Sequence, residues 1–472
     1  MHFPSEIHQL IIQAATCVPE AFDTSFDAIL NEDLQSVLDT IHKSMLTRST
    51  LSLVSKLFHE LVEEFLYEII IIYRFDYIPH LAKLLQSHGR RGRLRGSWCR
   101  RLDLRLGTGV IDYNDNAWYE GGHTIWGLIP ACPNVIILFC HIWQRRASLF
   151  GRTGIMPICG HLTNPALWKA IASTCGPNLQ RLDLFGLSIR MDRVEMLLRY
   201  CTNLVACRLI HVRPYVYGET YDGDEPQYLQ HFFPRGVERV LDTTEGKPSG
   251  SFDEQAQMKF QEDKMSAQWP ACSLQPPYVL PSLHTLHIDK FNSRITQLHM
   301  PCLHYLGMYN DWDTEEYILQ EISSSYHSFG SSLTHLSSSN CPMPLKKILE
   351  WFPHLKELSL HYCDHDSFTH LTITKPHYSL SIIRFPCMDD AEDMGEYVLD
   401  VLSATQAGML PALTEVLITR WKARTAARWN QEEVYDKVLP FKQFQASGVI
   451  LNIKEVVEQF TDKFQQGSSS FF

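Results

Sequence analysis

The sequence predicts an α/β chain, with a small N-terminal helical head followed by an irregular solenoid of parallel β strands carrying helices on its convex side. Three observations predict it. Amphipathic helical stretches fill much of the first 67 residues, a Leu-x-x-Leu-x-Leu spacing recurs from about residue 98, and Pro or Cys stands before many of these units.

In the head, Pro4 has no amide hydrogen to leave unsatisfied at a helix start, and Ile7, Leu10 and Ile11 follow on one helical face. A second helix is expected over residues 51–67, where Leu51, Val54, Phe58, Leu61, Phe65 and Leu66 recur at three- and four-residue steps. Between them, residues 33–46 place Leu34, Val37, Leu38, Ile41 and Met45 in phase, after a polar and irregular run from 16 to 32. Such periodicity also describes ordinary packing helices, because periodic apolar residues are more often core than interface.

The order Phe3-Pro4-Ser5-Glu6-Ile7, then Leu51-Ser52-Leu53-Val54-Ser55-Lys56, then Leu66-Tyr67 resembles the F-box. That resemblance implies docking to the Skp adaptor of a cullin-based ubiquitin ligase through Phe3, Pro4, Ile7, Ile11, Leu51, Val54, Phe58, Leu61 and Phe65. The extra length ahead of Leu51 is similar to F-box proteins of fungi, particularly basidiomycetes.

Behind the head the spacing is clearest at Leu179, Leu182 and Leu184; Leu283, Leu286 and Ile288; Leu303, Leu306 and Met308; and Leu355, Leu358 and Leu360. Weaker copies fall at Cys99, Leu102 and Leu104; Val135, Leu138 and Cys140; Leu204, Cys207 and Leu209; Leu333, Leu336 and Ser338; and Leu413, Val416 and Ile418. The pattern resembles leucine-rich repeats, which implies a short strand at each alternating pair and stacking into a solenoid. Cys341 and Cys363 then take the turn position as structural residues. Cys132-Pro133-Asn134, Cys175-Gly176-Pro177-Asn178, Phe352-Pro353-His354 and similar segments end a helix and begin a strand. Helices are expected at residues 164–173, 192–200, 345–351 and 394–404. The spacing between units is uneven, so the array is degenerate and carries insertions.

The expected organisation is a helical domain at 1–75 with an insertion at 16–48, and a basic linker at 76–97. A repeat solenoid at 98–430 follows, with an insertion at about 213–278, and then a C-terminal cap and tail at 431–472. The cap reads as a helix at 434–444, a short strand at 448–453 and a helix at 454–464. Arg90, Arg91, Arg93, Arg95, Arg100 and Arg101, interleaved with glycines, read first as a solvated linker and second as a phosphate-attracting loop.

A formal net charge of -11 disfavours a general nucleic-acid binder. The apolar runs at 69–73 and 135–140 are too short to cross a bilayer, so a cytoplasmic or nuclear protein is expected. Thirteen cysteines without paired spacing read as reduced, mostly buried thiols. His361, Cys363, Asp364, His365, Asp366 and His370 have the residue types of metal ligands but not a standard zinc spacing. Nucleotide-loop, nucleophile-elbow and zinc-hydrolase signatures are missing, so no catalytic, cofactor-binding or metal-binding residues are expected. The functional expectation is a non-enzymatic substrate adaptor that joins a Skp adaptor and cullin to an unidentified target protein. Its alternative is a repeat scaffold without a ubiquitin-ligase role.

Overall fold

Pro4 stands immediately before the first helix, α1 (Ser5–Thr16), and its carbonyl accepts from the amides of Ile7 and His8. The computed structural model describes residues 4–24, 34–73, 77–89, 92–105, 125–141, 165–185, 191–210, 279–288, 298–309, 329–339, 345–360, 373, 375–385, 391–423 and 441–458. These fall into two compact units, 1–283 and 284–472.

In the first unit α1 packs against α2 (Leu34–Val54) and α3 (Lys56–Leu66). The single helix expected over 51–67 is broken at Ser55. Its backbone is extended (φ -163, ψ 168) and its hydroxyl accepts from the Phe58 amide at 3.1 Å, so it caps α3 and leaves residues 51–54 as the last turn of α2. The described residues of the expected insertion at 16–48, which are 16–24 and 34–48, contribute to the core. Val18, just before the 3-10 turn Pro19–Phe22, and Ala21 within it bury against Ile41 of α2 and Ile69. Arg48, 1% exposed, ties the three helices together by donating to the carbonyls of Phe65 (2.5 Å) and Thr16 (2.9 Å) and pairing with Glu68 at 3.3 Å.

The described residues of the expected linker at 76–97, which are 77–89 and 92–97, are folded into regular structure and turns. Pro79 opens a helix, Ile78–Gln86, which buries Ile78, Ala82 and Leu85 at helical spacing. Gly92 then turns the chain with φ +71, His88 and Leu94 form an antiparallel bridge, and Arg95 donates to the buried Glu63 at 2.9 Å. Arg95 and Arg101 are therefore structural, while Arg90 and Arg91 lie outside the described residues. Gly96 lies so close to Ala131 that a Cβ would overlap its carbonyl oxygen.

The strand array begins earlier than the spacing suggests. Strands β1 (Ile69–Ile72), β2 (Arg101–Arg105), β3 (Ile137–His141), β4 (Arg181–Phe185) and β5 (Ala206–Ile210) pair in parallel and in chain order. In the second unit β6 (Thr285–Ile288), β7 (Tyr305–Tyr309), β8 (His335–Ser339), β9 (Glu357–Leu360), β10 (Ile382–Phe385), β11 (Glu415–Ala423) and β12 (Ile450–Glu458) do the same. Every expected unit carries a strand, and one face of each sheet holds the buried rows, such as Leu102, Leu138, Leu182 and Cys207 in register. The helices Pro165–Thr174, Met191–Tyr200, Leu345–Trp351 and Ala391–Gln406 fall where expected. Each unit is thus α/β, with parallel strands paired in chain order and helices between them, an arrangement compatible with a solenoid-like fold.

At the C-terminal end, residues 454–458 continue β12 instead of starting a helix, because 455–458 pair in register with 420–423 of β11 and include the β-branched pair Val456-Val457. The helix expected at 434–444 is described only as Phe441–Ala446. The insertion at about 213–278, Cys341, Cys363 and the His361–His370 residues lie outside the described residues.

Turn residues stitch successive strands together. The Nδ2 atoms of Asn134, Asn178 and Asn203 donate to the carbonyls of Ser97 (2.7 Å), Pro133 (3.0 Å) and Pro177 (2.6 Å), each on the preceding turn. Cys99, Cys132, Cys175, Cys201 and Cys207 are buried and none is in a disulfide, and burial pushes the Cys175 thiol up to about 12. Replacing Gly96 with alanine forces the 3-10 turn Arg95–Trp98 and the Ala131 turn apart. Urea denaturation followed by tryptophan fluorescence is expected to show a loss of about 1–3 kcal/mol, whereas the same change at the open Gly92 costs less than at Gly96.

Candidate docking surface and the charged strand face

Each head helix has two apolar sides. Ile12 of α1 and Leu61 and Val62 of α3 form the buried core of the bundle, with Leu51, Phe58, Phe65 and Leu66 packed against it. The opposite sides carry large aliphatic residues in solvent: Ile7, Leu10 (60% exposed) and Ile11 on α1, Leu46 (70%), Leu53 (85%) and Val54 on α2, and Leu57 on α3. Buried side chains already fill the contact between the helices, so this outer surface is surplus to the head's own packing. Exposed aliphatics gathered on one small bundle are the usual mark of a protein-binding surface.

The residues expected to dock an adaptor divide between these two sides. Pro4, Ile7, Ile11 and Val54 are exposed. Leu51, Phe58 and Phe65 are half-buried against the core, and Leu61 is 6% exposed within it. Phe3 lies outside the described residues. Leu10, which shares the α1 face of Ile7 and Ile11, joins the exposed set, as do Leu46, Leu53 and Leu57, to which the spacing rule gave no separate weight. The sequence holds one signal for them: Leu46, Leu53 and Leu57 continue at helical steps past the residues that face inward.

The strand face turned away from the leucine rows is unlike a solvated sheet surface. In the first unit it carries Arg101, Asp103 and Arg105 on β2, Phe139 on β3, Arg181 and Asp183 on β4 and Arg208 on β5, all buried. Arg101 holds Asp103 through two bonds (2.9 and 3.1 Å) and donates its remaining end to the Ala21 carbonyl at 2.7 Å. Arg181 repeats this with Asp183 (2.9 and 3.1 Å) and the Asp23 carbonyl at 3.0 Å. Both guanidinium groups lie over the Phe139 ring, at 4.4 and 4.9 Å from its centroid. The segment 18–23 therefore lies across the start of this face.

In the second unit the same face is polar and less covered. Glu357 accepts from Arg384 at 2.5 and 3.3 Å, with His335 at 4.0 Å, and all three side chains are 16–32% exposed. An open cleft of about 770 Å³ in the first unit is lined by Phe65, Trp98, Arg100, Asn134, Asn178 and Asn203, which offer amide and aromatic contacts. Among the described residues no group of three His, Cys, Asp or Glu side chains is placed to hold a metal ion, and no helix is long and apolar enough to cross a membrane.

No family model matches the chain, and no curated protein matches it. The structure by itself defines a class: a small helical head bearing an exposed aliphatic surface, joined to parallel strand and helix repeats.

His141 packs edge-on against Phe185 at 4.5 Å, and burial, reinforced by Arg105, lowers its pKa to about 4. The folded chain thus keeps this imidazole neutral where the unfolded chain takes up a proton. Stability is complete above about pH 6.5 and falls as the pH drops toward 4. Comparing urea denaturation at pH 7 and pH 4.5, His141→Phe is expected to lose about 2 kcal/mol less than wild type. Equal losses in both proteins are incompatible with a neutral native imidazole.

Proposed function

We propose that this chain is a substrate-recognition adaptor of a Skp–cullin–F-box ubiquitin ligase, whose head docks the Skp adaptor and whose repeats hold a target protein. The observation that carries this reading is the exposed aliphatic surface of the head, on the same helices whose sequence resembles the F-box. Its contribution is proximity. Holding a target beside a recruited conjugating enzyme raises the local concentration of the reacting groups without chemistry on this chain.

The division between exposed and buried head residues sharpens the test. Each exposed aliphatic that becomes fully buried in the complex contributes about 1.5–3 kcal/mol, so losing one weakens binding about tenfold or more. Leu10→Glu and Leu53→Glu are expected to abolish co-purification with the Skp adaptor while leaving the circular dichroism spectrum and unfolding midpoint close to wild type. Leu61→Ala is expected instead to cost about 2–5 kcal/mol of stability, because it empties a packed position. If the well-folded wild type does not co-purify with the adaptor, the reading fails and the chain is better described as a repeat scaffold that makes protein contacts alone.

A further inference from the structure

The open cleft at the turn edge of the first unit has a period. The residues just ahead of β2, β3, β4 and β5 are Arg100, Ile136, Gln180 and Val205, and all four line it. They stand side by side, since the amides of Ile136, Gln180 and Val205 donate to the carbonyls of Arg100, Ile136 and Gln180 at 2.8, 2.8 and 2.7 Å. Two residues earlier on the turns before β3, β4 and β5 come Asn134, Asn178 and Asn203, each bonded to the preceding turn and each lining the same space of about 770 Å³. The cleft is therefore a groove that crosses successive strands at their starts, with a step of roughly 4.8 Å.

Its chemistry is that of amides and apolar patches. Asn134, Asn178, Gln180 and Asn203 are exposed. Each asparagine uses Nδ2 to hold the neighbouring turn, and an exposed amide still offers a second N–H and an oxygen with two lone pairs. Ile136 and Val205 are half-buried beside them, and Phe65 of α3 and Trp98 add aromatic surface. Trp98 is held in place by stacking on Tyr67, with centroids 6.2 Å apart, and by the contact of its six-membered ring with Gly89. Among the described residues, the charged side chains of the lining are Glu64, Glu68 and Arg100, and Glu68 pairs with Arg100 at 3.6 Å. Two carboxylates against one guanidinium leave no cationic surplus to hold a phosphate-bearing polymer.

We propose that this groove binds an extended, uncharged glycan chain of β-linked pyranoses. A sugar hydroxyl both donates and accepts, as a side-chain amide does, and the C–H faces of the rings suit the aliphatic and aromatic patches between the amides. The period favours a glycan over a peptide. The step between strands is close to the length by which one pyranose advances an extended β-linked chain, so successive rings meet successive turns. A peptide strand rises roughly 3.3 Å per residue and returns a side chain to the same side every second residue, so it falls out of step with the turns. The site stands apart from the adaptor reading, which concerns the outer side of the head helices.

The test is isothermal titration calorimetry of the full chain with cellohexaose and chitohexaose, which are extended and β-linked, and with maltohexaose, whose α-links curl the chain. Wild type is expected to bind one β-linked hexamer per chain, about tenfold more tightly than the matching disaccharide or maltohexaose. Gln180→Ala removes an exposed amide and is expected to keep the circular dichroism spectrum and unfolding midpoint while binding about fivefold more weakly. Trp98→Ala is expected to lose measurable binding, and because it also removes the Tyr67 stack it is read only beside Gln180→Ala. No binding of either β-linked hexamer by wild type overturns the proposal, as does equally tight binding of maltohexaose or an affinity unchanged in Gln180→Ala. Selection of members of an unmodified decapeptide array in place of the hexamers, lost in Gln180→Ala, puts a peptide in the groove and overturns it too.

Discussion

Two buried arginines at the starts of β2 and β4 hold the first unit together, and most of its other features follow from how they are satisfied. A guanidinium group remains charged in any protein environment, so Arg101 and Arg181 are tolerable inside only if their donors are used. Each takes a carboxylate two residues along its own strand, which the two-residue strand period places on the same face. Each then has one end left for a backbone carbonyl of the segment between α1 and α2. Its described residues, 17–24, hold only the 3-10 turn Pro19–Phe22, and they gain their position from these bonds and from the burial of Val18 and Ala21. Through it the helical head is fixed to the strands, and Arg48 completes the attachment from the helix side.

The same arrangement explains why the strand face of the first unit is closed. A parallel array ordinarily leaves the face opposite its helices for ligands. Here the aromatic ring of Phe139 is sandwiched by two guanidinium groups and the first positions of β2 and β4 lie beneath residues 18–23. The stacking of the turns is provided separately, by Asn134, Asn178 and Asn203 in the first unit and by Ser332, which donates to the Leu303 carbonyl at 2.8 Å, in the second. Both devices use a short polar side chain to satisfy a carbonyl that a tight turn would otherwise leave open.

The strands were legible where leucine marks both the turn and the sheet interior, because one residue type repeated at fixed spacing stands out from background. They were harder to read where the same geometry uses other apolar residues. Leu380 ahead of β10 and Ile383 and Phe385 within it obey the spacing with a bulkier last residue, and Ile70 and Ile72 of β1 read as a plain apolar run. The head was legible as a bundle but not as a surface. Helical periodicity locates an apolar stripe without saying which of two apolar sides meets the neighbouring helix, so Leu61 and Leu53 look alike in sequence and differ from 6% to 85% exposed in the structure. The repeated Arg-Leu-Asp-Leu at 101–104 and 181–184 alternates charged and apolar residues, and three-dimensional cover turns its charged side into a buried ladder that the spacing of leucines does not reveal.

This distribution constrains how an adaptor of this architecture could work. If the head binds one protein and the repeats another, the two contacts must use surfaces that the fold has not already consumed. In the head the available surface is the outer aliphatic side, because the inner side forms the bundle core. In the first repeats the strand face is consumed by residues 18–23 and by the arginine ladder, which leaves the turn edge with its asparagines and Trp98. In the second unit the strand face keeps partly exposed, oppositely charged groups at Glu357 and Arg384. A pair that already neutralises itself adds little net attraction for a charged partner, and its value is orientational, since a partner must either respect the Arg384–Glu357 bond or replace both halves of it. Selectivity for a target on that face would therefore come from the geometry of hydrogen bonds, not from net charge.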